Sequence, residues 1–337
     1  MTIRNIERSV YFEGVVYKKS IGTYTVCTQG RAVPCSLSTL LRKELVYSSD
    51  NPNIHHRQVQ AVKCLDNVDP VAVGDSVRCV DAQDGTGMIV EILPRRSKLT
   101  RRSPVPSPGN HPFEQVIVAN LDQVAPVFAA ANPVPKWNML DRYLVSAESL
   151  RLPVVICITK LDLVTDRDQE ASLEAATTEY RRIGYPVILT SVVSGLGLDE
   201  FKQSLQGRTT ALVGKSGVGK TSLLNTIQPG LGLRVNEVSR VTGKGKHTTS
   251  HMEMFPLVFG GAIVDTPGVR EFGLWEIEQA DLALYFPEMR PWVGQCRFGL
   301  DCQHDTEPGC AIREALAEGK VSMRRYHSYL VLKAETK

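Results

Sequence analysis

The phosphate-loop signature Gly214-Lys215-Ser216-Gly217-Val218-Gly219-Lys220-Thr221 lies about fifty residues after a T-K-L-D segment, Thr159–Asp162, and ahead of a D-T-P-G turn, Asp265–Gly268. This order restricts the fold more than any other feature of the chain. A phosphate loop needs an apolar strand before it and a helix after it, and T-T-A-L-V and T-S-L-L-N-T supply them. For all three segments to serve one nucleotide, their strands must share one sheet with a rotated chain order. That order runs base-reading loop, second base-contact loop, phosphate loop, switch I, switch II. Such a chain is circularly permuted relative to the usual arrangement, in which the phosphate loop comes first.

Each segment has a physical role. The glycines let the backbone N–H groups of Gly214–Gly219, with Lys215, Ser216 and Val218, converge on phosphate oxygens, and Ser222 continues the helix that opens there. Lys220 is expected to bridge the β- and γ-phosphates and Thr221 to ligate Mg²⁺. Asp265 ends an apolar strand, G-A-I-V, and is expected to hold the Mg²⁺ shell, with the Gly268 amide meeting the γ-phosphate. Asp162 can accept two hydrogen bonds from the N1–H and exocyclic amine of guanine, an edge adenine lacks, while Lys160 lies along the base. Thr159 takes the place usual for asparagine and is shorter. Ser191, in T-S-V-V-S-G, is expected in the second base-contact loop. The expected ligands are therefore GTP and GDP with Mg²⁺.

Switch I is expected at Gly243–Thr249, where Thr248 or Thr249 would reach Mg²⁺ and the γ-phosphate. Val269 follows D-T-P-G where Ras-like enzymes carry a water-orienting glutamine, and valine cannot orient water by hydrogen bonding. Intrinsic hydrolysis should be slow, and His247 is the nearest replacement group. Lys244 and Lys246 flank it and favour phosphate or an RNA backbone.

Near the C-terminus, Cys296, Cys302, His304 and Cys310 form a Cys₃His set suited to one tetrahedral Zn²⁺. All four positions are filled by protein, so its expected role is structural. The other cysteines, Cys27, Cys35, Cys64, Cys79 and Cys157, are scattered through strand-like apolar segments and are read as free buried thiols.

At 337 residues the chain is too long for one ordinary core. Residues 1–93 read as short β-branched strands, V-Y-F-E-G-V-V-Y, G-T-Y-T-V-C-T, Q-V-Q-A-V-K-C-L, D-S-V-R-C-V and G-M-I-V-E-I-L, separated by turns, most economically a small closed barrel. Residues 94–112 hold five prolines and Arg95, Arg96, Lys98, Arg101 and Arg102, and read as an exposed basic linker, with RNA contact and plain solvation both open. From 113 to 275 strands alternate with helices, including one at Trp137–Leu150 and a charged one at 167–183, so a mainly parallel sheet is expected. Residues 276–337 read as helical and metal-binding. Arg324, Arg325 and His327 on the last helix are weak RNA-contact candidates. The net charge of +3 makes no case for nucleic acid by itself, and no apolar run is long enough to span a bilayer. A cytoplasmic protein is expected.

Taken together, I-L-P-R-R-S-K-L-T-R, the D-R-Y-L-V-S-A-E helix at Asp141–Glu148, the permuted motifs and C-R-F-x-x-D-C-x-H-x-x-E-P-G-C-A resemble the ribosome small-subunit-dependent GTPases, the RsgA/YjeQ family. The resemblance covers nearly the whole chain. It implies an OB-fold N-domain, a circularly permuted P-loop GTPase domain and a zinc-binding C-domain. It also implies GTP hydrolysis stimulated by the small ribosomal subunit, contact with its rRNA, late action in subunit maturation and a monomeric state. Two departures from the family pattern are Thr159 and a Cys296–Cys302 spacing one residue wider than usual. The rival reading is an RNA-binding scaffold in which nucleotide locks a conformation and hydrolysis is incidental. The permutation also suggests that switch II, close in sequence to Cys296, pulls on the zinc segment when the γ-phosphate is lost.

Overall fold

The computed structural model describes residues 10–47, 59–64, 70–102, 114–231, 253–265 and 277–336. The chain divides into two compact units after Leu121, with a short stretch ending at Met254 returning to the first. Among the described residues no helix is long and apolar enough to cross a membrane.

In the first unit, β1 (Tyr11–Ser20), β2 (Thr23–Thr28) and β3 (Arg31–Leu37) form a meander. The β2–β3 turn places Gln29 and Gly30 at positive φ, the conformation that a tight hairpin with right-handed strand twist requires. Next come β4 (Lys43–Tyr47), β5 (Val59–Cys64), β6 (Ser76–Asp81) and β7 (Gly87–Ile92). The barrel order is β1-β2-β3-β7-β6, closed by β6 on β1, with β3 and β7 parallel. Closure bends β1 sharply at Gly14, where a Cβ would stand 2.6 Å from the Cys27 carbonyl oxygen. Val16, Val26, Val77, Cys79 and Ile89 are fully buried and make the core.

The barrel strands differ from the sequence reading in two places. Arg31–Leu37 is a barrel strand although Pro34 interrupts its donor pattern. The segment around Val59–Cys64, read as a barrel strand, pairs instead with Lys43–Tyr47 in a separate two-stranded sheet.

Part of the expected basic linker forms a strand. Lys98–Arg102 forms β8, antiparallel to β9 (Glu114–Ala119), and both belong to the first unit. Arg95 is drawn inward, its Nε and Nη2 lying 2.7 and 2.8 Å from the two oxygens of buried Asp75. Asp75 also accepts from the Ala72 amide at 2.8 Å. A carboxylate taken out of water needs this set of donors, so Arg95 is fixed in a barrel clasp.

The second unit is built on a parallel sheet. Its strands are β10 (Gln123–Ala129), β11 (Ile156–Thr159), β12 (Val187–Leu189), β13 (Thr209–Val213) and β15 (Ala262–Asp265), in the order β12-β11-β10-β13-β15. Each neighbouring pair among these five is parallel. β14 (Glu253–Pro256) precedes β15 in the chain. Helices α1 (Trp137–Ser149), α2 (Arg167–Ile183), α3 (Leu198–Leu205) and α4 (Lys220–Ile227) provide the crossovers. β10 and β11 are buried along their whole length because both faces are covered. Asp166 caps α2 by accepting from the Asp168 amide, and Gly184 ends it in the left-handed conformation. On α1, Leu140 and Leu144 are fully buried, and truncating either to alanine should cost about 2–5 kcal/mol.

The C-terminal segment, with α5 (Ala311–Ala317) and α6 (Met323–Glu335), belongs to this same unit. Its core of Phe286, Met289, Ile312, Tyr329 and Leu332 is shared with Val145 of α1.

Candidate nucleotide site and metal centre

The chain runs from β10 outward to β11 and β12, then returns across β10 to β13 and β15. The order therefore reverses between β10 and β13. In open parallel sheets, ligands bind at such a switch point, beyond the carboxyl ends of the strands. The predicted segments follow those ends. Lys160 follows β11, Ser191 follows β12 by two residues, and Gly214 follows β13. Asp265 closes β15 in register with Leu212, two residues ahead of the phosphate loop.

The phosphate loop is shaped by its glycines. Gly214 has φ +152, and a Cβ there would lie 2.3 Å from the Val127 carbonyl oxygen, so the loop can approach β10 only without a side chain. Gly219, at φ +99, opens α4. The Lys220 ammonium is folded into the loop, donating to the carbonyls of Gly214 at 2.7 Å and Lys215 at 3.0 Å. Thr221, the second residue of α4, is half-buried, and Lys215 and Ser216 are exposed on the loop's outer side. A helix N-terminus and an ammonium folded into the loop are the chemistry that a polyphosphate would need.

The T-K-L-D segment is tied directly to this loop. The Thr159 hydroxyl is buried and lies on the carbonyls of Phe128, at 3.2 Å, and Val218. Lys160, in the left-handed conformation, donates to Gly217 O at 2.6 Å and to Asn132 O. Burial lowers the Lys160 pKa, with Asp162 opposing the shift. Asp162 is exposed at the surface, but its orientation is fixed. Ser191 Oγ donates to Asp162 Oδ1 at 2.5 Å and itself accepts from the amides of Val193 and Ser194 at 3.2 Å. Ser191, expected in the second base-contact loop, thus orients the Asp162 carboxylate that the sequence reading expects to meet the base.

The expectations placed on switch I, with His247, Thr248 and Thr249, and on Gly268 and Val269, lie outside the described residues.

The predicted metal ligands do converge. Cys296, Cys302, His304 and Cys310 are all buried, with ligand atoms within 4.8 Å of one another. Cys296 Sγ lies 3.9 Å from Cys310 Sγ, and His304 Nδ1 lies 3.4 and 3.6 Å from those two sulfurs. A tetrahedral zinc with ordinary bond lengths gives edges of about 3.8 Å between sulfurs and about 3.6 Å between sulfur and nitrogen. The set fits zinc, and the wider spacing before Cys302 does not exclude Cys296. Burial, then the Lys333 charge, lowers the His304 pKa, which favours the neutral imidazole that ligates metal.

The loop is braced from outside. Glu307 accepts from the Gln303, Asp305 and Thr306 amides at 2.8–3.1 Å. Its own amide first, and then these three, hold its carboxyl down to about 2. Tyr326 donates to the His304 carbonyl at 2.7 Å.

Sequence reasoning missed a buried charge cluster between α1, α2 and α6. Arg325 donates to Asp141 and, through Nε and Nη2, to Glu288 at 2.6 and 3.2 Å. Arg324 pairs with Glu179 and reaches the Tyr180 hydroxyl at 3.0 Å, while Tyr180 donates to Asp141 at 2.6 Å. Arg325 is wholly buried, which removes it as the surface RNA contact read from sequence, while Arg324 is partly exposed and paired with Glu179. The available signal was an acid, Asp141, on the apolar face of α1 beside Leu140, Leu144 and Val145.

A phosphate loop and a guanine-reading loop joined at the switch point of a permuted parallel sheet define a circularly permuted P-loop GTPase. The family profile described as RsgA GTPase matches residues 92–275. The "Small ribosomal subunit biogenesis GTPase RsgA" of Gemmatimonas aurantiaca is 49% identical over 267 residues, 79% of this chain and 84% of that protein. The protein of that name from Bacteroides fragilis is 37% identical over 94% of this chain and 95% of its own length. Among solved structures, YjeQ from Thermotoga maritima matches with a TM-score of 0.73 at 30% identity, covering 97% of this chain and 98% of that one. YloQ, titled a circularly permuted GTPase, matches with a TM-score of 0.68 at 28% identity, covering 98% and 97%. The chain belongs to the RsgA GTPase family. It has the family's OB-fold barrel, permuted GTPase sheet and helical C-terminal segment with a Cys/His cluster, and it is a GTP hydrolase.

Proposed function

We propose that the chain is a GTP-controlled factor in small-ribosomal-subunit biogenesis, one that binds the subunit and its rRNA and hydrolyses GTP when the subunit stimulates it. The carrying observation is the convergence of Thr159, Lys160, Asp162 and Ser191 with Gly214–Ser222 at one sheet edge, in a chain whose relatives bear that function in their names.

In this reading, Asp162 binds the guanine edge and Lys160 packs along the base. Loop amides and Lys220 hold the phosphates, so that catalysis rests on positioning and on charge aimed at the transferring phosphoryl group. Thr221 and Asp265 would hold Mg²⁺, which when bound supplies positive charge to the phosphate oxygens. Thr249, with the Gly268 amide, meets the γ-phosphate. His247 orients the attacking water in place of the glutamine that Val269 replaces. One structural Zn²⁺ is held by Cys296, Cys302, His304 and Cys310, a fit supported by the tetrahedral edge lengths.

Residues 1–93 and the basic stretch 94–112 serve RNA contact, 113–275 nucleotide chemistry and 276–337 the zinc segment. A single chain carries the whole site, which supports a monomer, and a ribosomal substrate supports a cytoplasmic location. Competition against labelled GDP tests the nucleotide assignment. GTP should displace the label at micromolar concentration and ATP should not; equal displacement by ATP would refute it.

A further inference from the structure

Thr159 occupies the one position where this chain departs from the N-K-x-D pattern, and its hydroxyl is committed inside the protein. The group is 3% exposed and lies on two main-chain carbonyl oxygens, Phe128 O at 3.2 Å and Val218 O. A hydroxyl has one proton to donate. Two buried carbonyls already compete for it, and turning it elsewhere would leave both without this donor. Towards any further group Thr159 offers only an acceptor. An asparagine amide carries two protons and could hold a carbonyl while donating outward.

Guanine presents acceptors, N7 and O6, on one edge and donors, N1–H and the 2-amino group, on the other. An acceptor at residue 159 cannot bond N7 or O6. The donor edge is matched by Asp162, whose Oδ1 accepts from Ser191 Oγ at 2.5 Å. We infer that Thr159 tethers the phosphate loop and takes no part in reading the base, so this protein selects guanine by its donor edge through Asp162 and is indifferent to N7. The inference rests on the base-reading assignment of Asp162 proposed above, and makes Thr159 a positioning residue. Lys160 supports the same division, since its ammonium is bonded to Gly217 O and Asn132 O.

The test uses the full-length protein and measures dissociation constants for GTP, 7-deaza-GTP, which lacks the N7 acceptor, and ITP, which lacks the 2-amino donor. The expected result is GTP and 7-deaza-GTP within about twofold, with ITP weakened by at least roughly tenfold, the range for a hydrogen bond to a charged group. Thr159→Asn should create a preference for GTP over 7-deaza-GTP of roughly fivefold, as one added neutral hydrogen bond would. Thr159→Val, which keeps the shape but removes the hydroxyl, should weaken GTP and 7-deaza-GTP by the same factor. A wild-type loss of fivefold or more with 7-deaza-GTP, alongside weakened ITP, would overturn the role given to Thr159 and leave Asp162 as the base reader. ITP binding as tightly as GTP would instead overturn the Asp162 assignment, and the inference with it.

Discussion

Arg325 and Asp141 meet with Nη1 2.6 Å from Oδ1, and neither side chain has exposed surface. The pair joins the last helix to the helix that follows β10, the strand at the sheet's switch point. Glu288 takes the other side of the guanidinium, which also lies 4.5 Å from the Phe286 ring centre. The idea that switch II pulls the zinc segment as a separate body meets a physical obstacle here. Moving that segment away from α1 would strand Arg325, Asp141 and Glu288 in a low-dielectric interior. A nucleotide-linked motion of the zinc segment has to carry α1 and α2 with it.

Arg325→Met should therefore be severely destabilising. It leaves the buried Asp141 and Glu288 carboxylates without their main partner, a class of change that costs about 3–5 kcal/mol. Urea denaturation monitored by circular dichroism measures this, and a loss below about 1 kcal/mol would show that the cluster is not a stabilising contact.

The zinc set makes a compositional prediction. Purified protein should contain one zinc per chain by elemental analysis, and Cys310→Ser should lower both zinc content and the melting temperature. A fall of at least about 5 °C is expected, since metal binding to such a loop is folding free energy. The Cys296→Ser variant should behave alike, because Cys296 sits within the same tetrahedral edges. Full zinc retention in Cys296→Ser would remove it from the ligand set.

Cys157 lies in the core of β11 with Thr190 Oγ1 at 3.7 Å, and burial raises its pKa to about 12 despite that hydrogen bond. The reactive thiolate appears only as pH approaches that value, so at pH 8 roughly one thiol in ten thousand is ionised. Alkylation mapped by mass spectrometry at pH 8 should spare Cys157 in the native protein and label it in denaturant. Rapid native labelling would contradict its placement.

Gly214→Ala should abolish nucleotide binding, because its Cβ would stand 2.3 Å from Val127 O in a backbone conformation that side chains rarely adopt. Gly230→Ala is a useful comparison. Its φ is also positive, but nothing lies within 4 Å of the added atom, so GTP affinity should change by less than about threefold. Matching losses in both variants would mean that backbone strain, and not the approach to β10, governs the loop.

The nucleotide site was legible in sequence because its parts are local. A phosphate loop is a strand, a glycine turn and a helix in unbroken order, and each motif needed only the carboxyl end of its own strand. α2 was legible for the same reason, with Asp166 and Gly184 marking both ends. The Cys/His cluster was legible because four side chains of metal-binding type lie within fifteen residues, from Cys296 to Cys310. What could not be read was partnership across distance. Asp141 and Arg325 are 184 residues apart, and in sequence each resembles a solvated charge. β3 was hidden by Pro34, which normally argues against a strand, and β4 by pairing outside the barrel. Arg95 looked like part of a basic linker because its partner Asp75 is set by barrel closure, which no local pattern announces.

The account turns on coupling between this nucleotide site and the small ribosomal subunit, so the decisive measurement is multiple-turnover GTP hydrolysis with and without purified small subunits. Slow intrinsic turnover is expected, because Val269 cannot orient water. Subunits should accelerate it by at least about 1,000-fold, the low end of what supplied groups give GTPases. His247→Ala should keep near-normal GTP affinity and lose the acceleration. Equal rates with and without subunits would contradict the account and leave a nucleotide-locked RNA-binding scaffold in its place.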